Sequence, residues 1–138
     1  MNLGLKDRVA IVTGASVGIG RACAAELLAE GASVVVASKD PKRNAEACRK
    51  LSGERGRVLG IPFDIESDDS VRLMVERTLA EFGRLDILVN DAAIYVSKRL
   101  TETSLADWNR VMAVNVTGVF LMCRAAIRQV GEELRQVP

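Results

Sequence analysis

Histidine is absent from this 138-residue chain, tryptophan and tyrosine occur once each, and proline three times. Without histidine there is no Ser-His-Asp or Cys-His hydrolase to consider, and a zinc site is disfavoured. Cys23, Cys48 and Cys123 are odd in number, widely spaced and each set in an apolar helical pattern. That fits buried reduced thiols better than disulfides or a metal site. Charge of one sign is lacking too: 19 Lys and Arg stand against 18 Asp and Glu, a net +1. No run of like charge invites nucleic acid or an anionic membrane surface. No apolar stretch reaches the roughly 18 residues of a membrane span, and MNLGLKDR has no signal-peptide apolar region. The expectation is a cytoplasmic protein with neither nucleic acid nor membrane as partner.

What is present is a hydrophobic content of 49%, enough to bury a core in a single domain spanning 1–138. Short, unalternating apolar runs at Val9 to Thr13, Ser33 to Ser38, Arg57 to Phe63 and Asp86 to Asn90 read as parallel strands covered on both faces. Helical segments of crossover length lie between them, which gives a βαβαβαβα unit. The first helix, about Gly18 to Glu30, places Ile19, Ala22, Cys23 and Leu27 on one face and stops at Gly31. Pro41 opens the second, which runs to about Leu51. Ser67 caps the third, Asp68 and Asp69 suit its positive end, and Val71, Met74, Val75, Thr78, Leu79 and Phe82 recur at helical spacing until Gly83.

The last helix runs from a cap near Ser104 toward Gln136, with Gly131 as an early stopping point. Leu105, Trp108, Val111, Met112, Val119, Met122, Cys123, Ala126, Ile127 and Val130 form its expected core stripe. Val114, Gly118, Leu121 and Ala125 make the opposite side apolar as well, so both sides call for burial. One side suits the sheet, and the other another element or another subunit. Ala92 to Thr103 is the longest apparent loop, and it follows a strand's carboxyl end, a usual place for function.

The stretch Arg8 to Gly20, RVAIVTGASVGIG, organises the rest: an apolar strand, a turn punctuated by Gly14, Gly18 and Gly20, then a helix. Such a turn suits a pyrophosphate, because glycines let backbone approach it and the free amides and positive dipole end of the helix face it. The spacing is not the usual G-x-G-x-x-G, and a ligand-free glycine turn is the competing reading.

Thr13-Gly14-x-x-x-Gly18-Ile19-Gly20, directly after an N-terminal strand, resembles the cofactor loop of the short-chain dehydrogenase/reductase family. The resemblance covers about Lys6 to Arg128 and implies an α/β fold. This is a Rossmann-type open parallel sheet with helices on both faces and about four strands in the order 3-2-1-4, truncated relative to the family. It also implies that Gly14, Ser16, Gly18, Ile19 and Gly20 bind the cofactor. Ser38 and Lys39 end the second strand, where an acidic residue would bond the ribose of NAD. A hydroxyl beside a cation can hold a 2′-phosphate instead, so NADP(H) is expected over NAD(H). Against this, Val17 stands where many NADP-dependent relatives carry a second basic residue, and Lys39 also reads as a solvated loop lysine.

By the same resemblance Asp64 bonds the adenine amino group and Ile65 packs near the ring, although Asp64 also suits a strand end bonded to local backbone. Asn90-Asp91-Ala92-Ala93 is similar to the family's Asn-Asn-Ala-Gly. It implies that Asn90 ties neighbouring strands and that Ala92 and Ala93 keep the cleft floor small enough for the cofactor ribose. Asp91 departs from that pattern; facing a pyrophosphate it would cost affinity unless it points away or pairs with Lys98 or Arg99. Asn115, within Val114-Asn115-Val116-Thr117-Gly118, matches the asparagine that helps hold a proton-relay water. It reads equally as a polar group that bonds backbone and bends the helix.

The family's following serine and Tyr-x-x-x-Lys have no counterpart here, and Tyr95-Val96-Ser97-Lys98 has the wrong spacing. Little hydride transfer is expected from this chain alone. The fourth strand would become an apolar edge. Together with the last helix it implies self-association, pairing with a relative, or a longer parent chain.

Overall fold

The computed structural model describes residues 3–53 and 55–135. Four strands, β1 (Val9–Thr13), β2 (Ser33–Ser38), β3 (Val58–Pro62) and β4 (Ile87–Asn90), pair in parallel in the order β3-β2-β1-β4. Their register sets Thr13 opposite both Ala37 and Asn90, so the carboxyl ends of three strands form one rim. Between and after them come α1 (Gly18–Ala29), α2 (Pro41–Leu51), α3 (Asp68–Phe82), α4 (Leu105–Met112) and α5 (Gly118–Arg135).

Alternation along the strands divides the core into two layers. Ala10, Val12, Val34 and Val36 pack with Ala24 and Leu28 of α1 and Ala47 and Leu51 of α2. Ile11, Val35, Ala37 and Ile61 pack on the other face with Val71, Met74 and Val75 of α3 and Leu121, Met122 and Ala126 of α5. Because both faces are covered, the strands read as continuous apolar runs, with no polar alternation to orient them.

Three helix starts are fixed by side chains: Asp40 accepts from the amides of Lys42 and Arg43, Ser67 from Ser70, and Ser104 with Asp107 forms a reciprocal capping box. Gly83, at φ 76°, ends α3 in the left-handed conformation that favours glycine. Cys23, Cys48 and Cys123 are free thiols, half-buried rather than fully buried, and burial pushes the Cys48 thiol up.

Two helix faces differ from their sequence expectation. On α1 the sheet takes Gly20, Ala24 and Leu28, and Ile19 is 74% exposed. The last helix is interrupted by a π-helical turn at Ala113–Thr117 and seats Val114, Leu121, Met122 and Ala126 inward, leaving Leu105, Trp108, Met112, Val116, Phe120 and Ile127 exposed. In both segments apolar residues surround the helix, so period alone does not set its phase. Tertiary packing against the sheet sets the phase instead, burying large side chains such as Leu28, Leu121 and Met122 as well as small ones. Gly131 does not stop α5, which continues to Arg135; Gln136 and the side chain of Val130 lie outside the described residues.

By length and composition Leu105–Gln129 would pass as a membrane span, contrary to the expectation of none. Its inward side nevertheless packs on the sheet and on α3, which makes it a layer helix of this α/β unit.

Asp86 ties β4 to β1. Its carboxylate accepts from the Val9 amide (2.9 Å), from Arg84 (2.6 and 2.8 Å) and from Arg8 (3.1 Å). Burial pushes this carboxyl up, but Arg84, the Val9 amide and Arg8 outweigh it and hold the pKa below its usual value. A depressed folded pKa contributes stability above the ordinary aspartate value of about 3.9, lost as pH falls through the folded value. Asp86→Asn is therefore expected to lower stability to urea by about 1 to 3 kcal/mol at neutral pH, with the difference from the parent chain shrinking below about pH 4. An unchanged urea midpoint at neutral pH would refute this role.

Candidate functional site

A cleft of about 700 Å³ opens over the carboxyl rim of the sheet, between the β1–α1 turn and the segments that follow β2, β3 and β4. Nine of the twelve residues expected at the site line it: Gly14, Ser16, Gly18, Ile19, Ser38, Lys39, Asp64, Ile65 and Ala92. Position in an open parallel sheet explains this, since the turns after strand carboxyl ends converge there.

The start of α1 faces this cleft and differs from the other starts. Val17 is its N-cap, extended and with no side-chain hydrogen bond, and no acidic residue occupies the first turn. Its first amides therefore keep their donors for an external anion. Gly14, at φ 69°, lets the turn approach the β4 segment: a Cβ there would stand 2.9 Å from the Ala92 backbone. Gly18, at φ 59°, has only open space where its Cβ would be. Gly20 does not line the cleft but lies under the loop, where a Cβ would meet Gly14 O at 2.8 Å.

Asp91 does not point away. It lines the cleft, and a Cβ on Gly20 would lie 2.6 Å from its Oδ2. Its pairing with Lys98 or Arg99 is not found among the described residues. Lys98 donates to Asp107 Oδ2 at 2.7 Å, and this bond, foremost, with Ser104 holds the Asp107 carboxyl below its usual range.

At the far end, Lys39 pairs with Asp64 Oδ2 at 3.3 Å, and Asp64 Oδ1 accepts from the Glu66 amide at 3.0 Å. The Glu66 amide, foremost, and Lys39 depress the Asp64 pKa against the raising effect of burial. Asp64 thus bonds local backbone, as a strand-ending aspartate does, and still borders the cleft. Ile65 supports the floor: a Cβ on Gly118 would lie 2.7 Å from it.

Asn90 is outside the cleft, with its Nδ2 3.5 Å from Cys123 Sγ. The tie between strands expected of Asn90 is made by buried Thr13, whose Oγ1 accepts from the amides of Asp91 (3.2 Å) and Ala92 (3.1 Å). Asn115 lies in the π-helical turn and clamps the loop: its Oδ1 accepts from the Ile94 amide (2.9 Å) and its Nδ2 donates to Ile94 O (2.7 Å). π turns of this kind often accompany functional sites. Arg110 also lines the cleft, a cation that sequence reading passed over. It sits in α4 between Trp108 and Asn115, and nothing in its local pattern marks it as facing the cleft.

The family model described as short chain dehydrogenase matches residues 8–135. A D-threitol dehydrogenase of Mycolicibacterium smegmatis is 38% identical over 121 residues, covering 88% of this chain and 46% of that protein. The (2S)-[(R)-hydroxy(phenyl)methyl]succinyl-CoA dehydrogenase subunit BbsD of Thauera aromatica is 37% identical, covering 89% of this chain and 50% of its own length. A solved short-chain type dehydrogenase/reductase of Mycobacterium marinum superposes with a TM-score of 0.90 at 33% identity, covering 94% of this chain and 52% of that one. The chain thus spans about half the length of these relatives. With the parallel sheet, the glycine turn and the match over residues 8–135, the chain belongs to the short-chain dehydrogenase/reductase family.

Proposed function

We propose that this chain is the dinucleotide-binding portion of an oxidoreductase that moves hydride between a carbonyl and an alcohol, with NADP(H) favoured over NAD(H). The observation that carries the reading is the uncapped start of α1 facing a cleft of about 700 Å³. Open space at Gly18 and the small Ala92 floor fit a diphosphate there. Gly14, Ser16, Gly18, Ile19 and Gly20 hold or shape that end, and Asp64 and Ile65 border the adenine. Ser38 and Lys39 stand at the ribose, with no carboxylate ending β2 to repel a 2′-phosphate. When bound, the nicotinamide supplies or accepts the hydride. Asn115, clamped to Ile94, takes the proton-relay position.

The chain acts as one such unit, without hydride transfer when alone, in a cytoplasmic setting to which its free thiols are suited. Its partner surface is the apolar edge β4 with the exposed side of α4 and α5, where Trp108, Phe120 and Ile127 stand in the open. These same residues support a second reading, a non-catalytic module that pairs with a full-length relative. Native mass spectrometry separates the two: a stable heteromer with a relative favours the second.

Calorimetry with NADPH and NADH tests the first. Binding of both is expected, NADPH the tighter, and Asp91→Asn is expected to tighten both by about tenfold, because it removes a carboxylate from beside the diphosphate. A folded chain that binds neither nucleotide would overturn the reading.

A further inference from the structure

Asn44 of α2 is 2% exposed and does not line the cleft, yet it controls a group that does. Its Nδ2 donates to the Ser38 carbonyl at 3.2 Å, and its Oδ1 faces the Ser38 hydroxyl. A carbonyl only accepts, so the amide nitrogen must be the atom turned toward it, and this fixes the amide oxygen against Ser38 Oγ. That oxygen also only accepts. The Ser38 hydrogen is therefore committed to Asn44, and the hydroxyl offers the cleft lone pairs alone. Gly60 makes the arrangement possible: a Cβ on this β3 residue would lie 3.2 Å from Asn44 Cβ and 3.3 Å from Cys48 Sγ.

A ribose 2′-hydroxyl carries a hydrogen to give to such an acceptor. A 2′-phosphate above its second pKa of about 6 carries none. Turning the Ser38 hydrogen toward a phosphate would leave the buried Asn44 oxygen unpaired, a costly state. Lys39 then remains as the positive group at the end of β2, itself shared with Asp64.

We propose that Asn44 is a specificity-determining positioning residue: it makes Ser38 an obligate acceptor and so restrains the preference for NADP that Lys39 provides. The proposal rests on the dinucleotide reading above. The test is calorimetric Kd for NADP+ and NAD+ at about pH 8, where the phosphate is fully ionised, on the whole chain and on Asn44→Leu and Ser38→Ala. Asn44→Leu frees the hydroxyl hydrogen and is expected to shift the Kd ratio toward NADP+ by about tenfold, with NAD+ changed by less than about threefold. Ser38→Ala is expected to weaken NAD+ by about fivefold and leave NADP+ within about twofold. The second variant keeps the Asn44 side chain in place, at the cost of an unpaired amide oxygen on α2, and decides the matter if the first fails to fold.

A ratio unmoved by both variants, or a Ser38→Ala chain that loses NADP+ as much as NAD+, overturns the proposal while sparing the dinucleotide reading. A folded parent chain that binds neither nucleotide ends both.

Discussion

Gly18→Val is expected to weaken dinucleotide binding by at least about a hundredfold while the chain stays folded. Gly18 holds φ at 59°, a left-handed conformation that is strained for a β-branched residue. Its missing Cβ faces open space, so an added side chain meets no protein atom within 4 Å and stands instead in the approach to the α1 amides. The contrast is Gly14, where a Cβ would stand 2.9 Å from Ala92 backbone atoms on the neighbouring segment. A substitution there strains the junction of β1 and β4 and injures the fold itself. Far-UV circular dichroism beside calorimetry separates the two effects. A Gly18→Val chain that binds as the parent does would remove the phosphate role from this loop.

The second large effect concerns turnover. Supplied with NADPH and simple aldehydes or ketones, the chain alone is expected to fall at least about 10⁴-fold short of a complete reductase, since both general acid catalysis and carbonyl positioning are lost. Tyr95 is 87% exposed on the loop after β4, and Lys98 further along that loop is engaged by Asp107 at 2.7 Å. The cleft has cations in Lys39 and Arg110, but Lys39 is shared with Asp64. Turnover approaching about 1 per second, ordinary for an enzyme, would contradict this expectation.

The strands and the glycine turn were legible in the residues because their signals are local. An apolar run ended by Thr13-Gly14 has few other conformations open to it, and Pro41, Ser67 and Ser104 mark helix starts by signals confined to a few residues. Helix phase was not legible where apolar residues encircle the helix. Ile19 and Leu105 look inward by composition and outward in the fold, since the choice is made by tertiary packing against the sheet, which periodicity does not encode. Long-range polar partners were equally hidden. Thr13 closing on Asp91 and Ala92, Asn115 clamping Ile94 and Asn44 orienting Ser38 all depend on tertiary contacts that spacing does not encode. Apolar side chains are exposed on α1, α4 and α5. Ile19 of α1 and Ile127 of α5 border grooves that also reach the edge strand β4.

The most direct measurement is an NMR titration of the isotope-labelled chain with NADP+, following backbone amide resonances. Amides from Gly14 to Gly20 are expected to move most, with those of Gly18, Ile19 and Gly20 in the lead, and Ser38 and Asp64 to follow. Shifts confined to the exposed side of α4 and α5, with the first turn of α1 unmoved, would place the nucleotide elsewhere and contradict a diphosphate held by that helix.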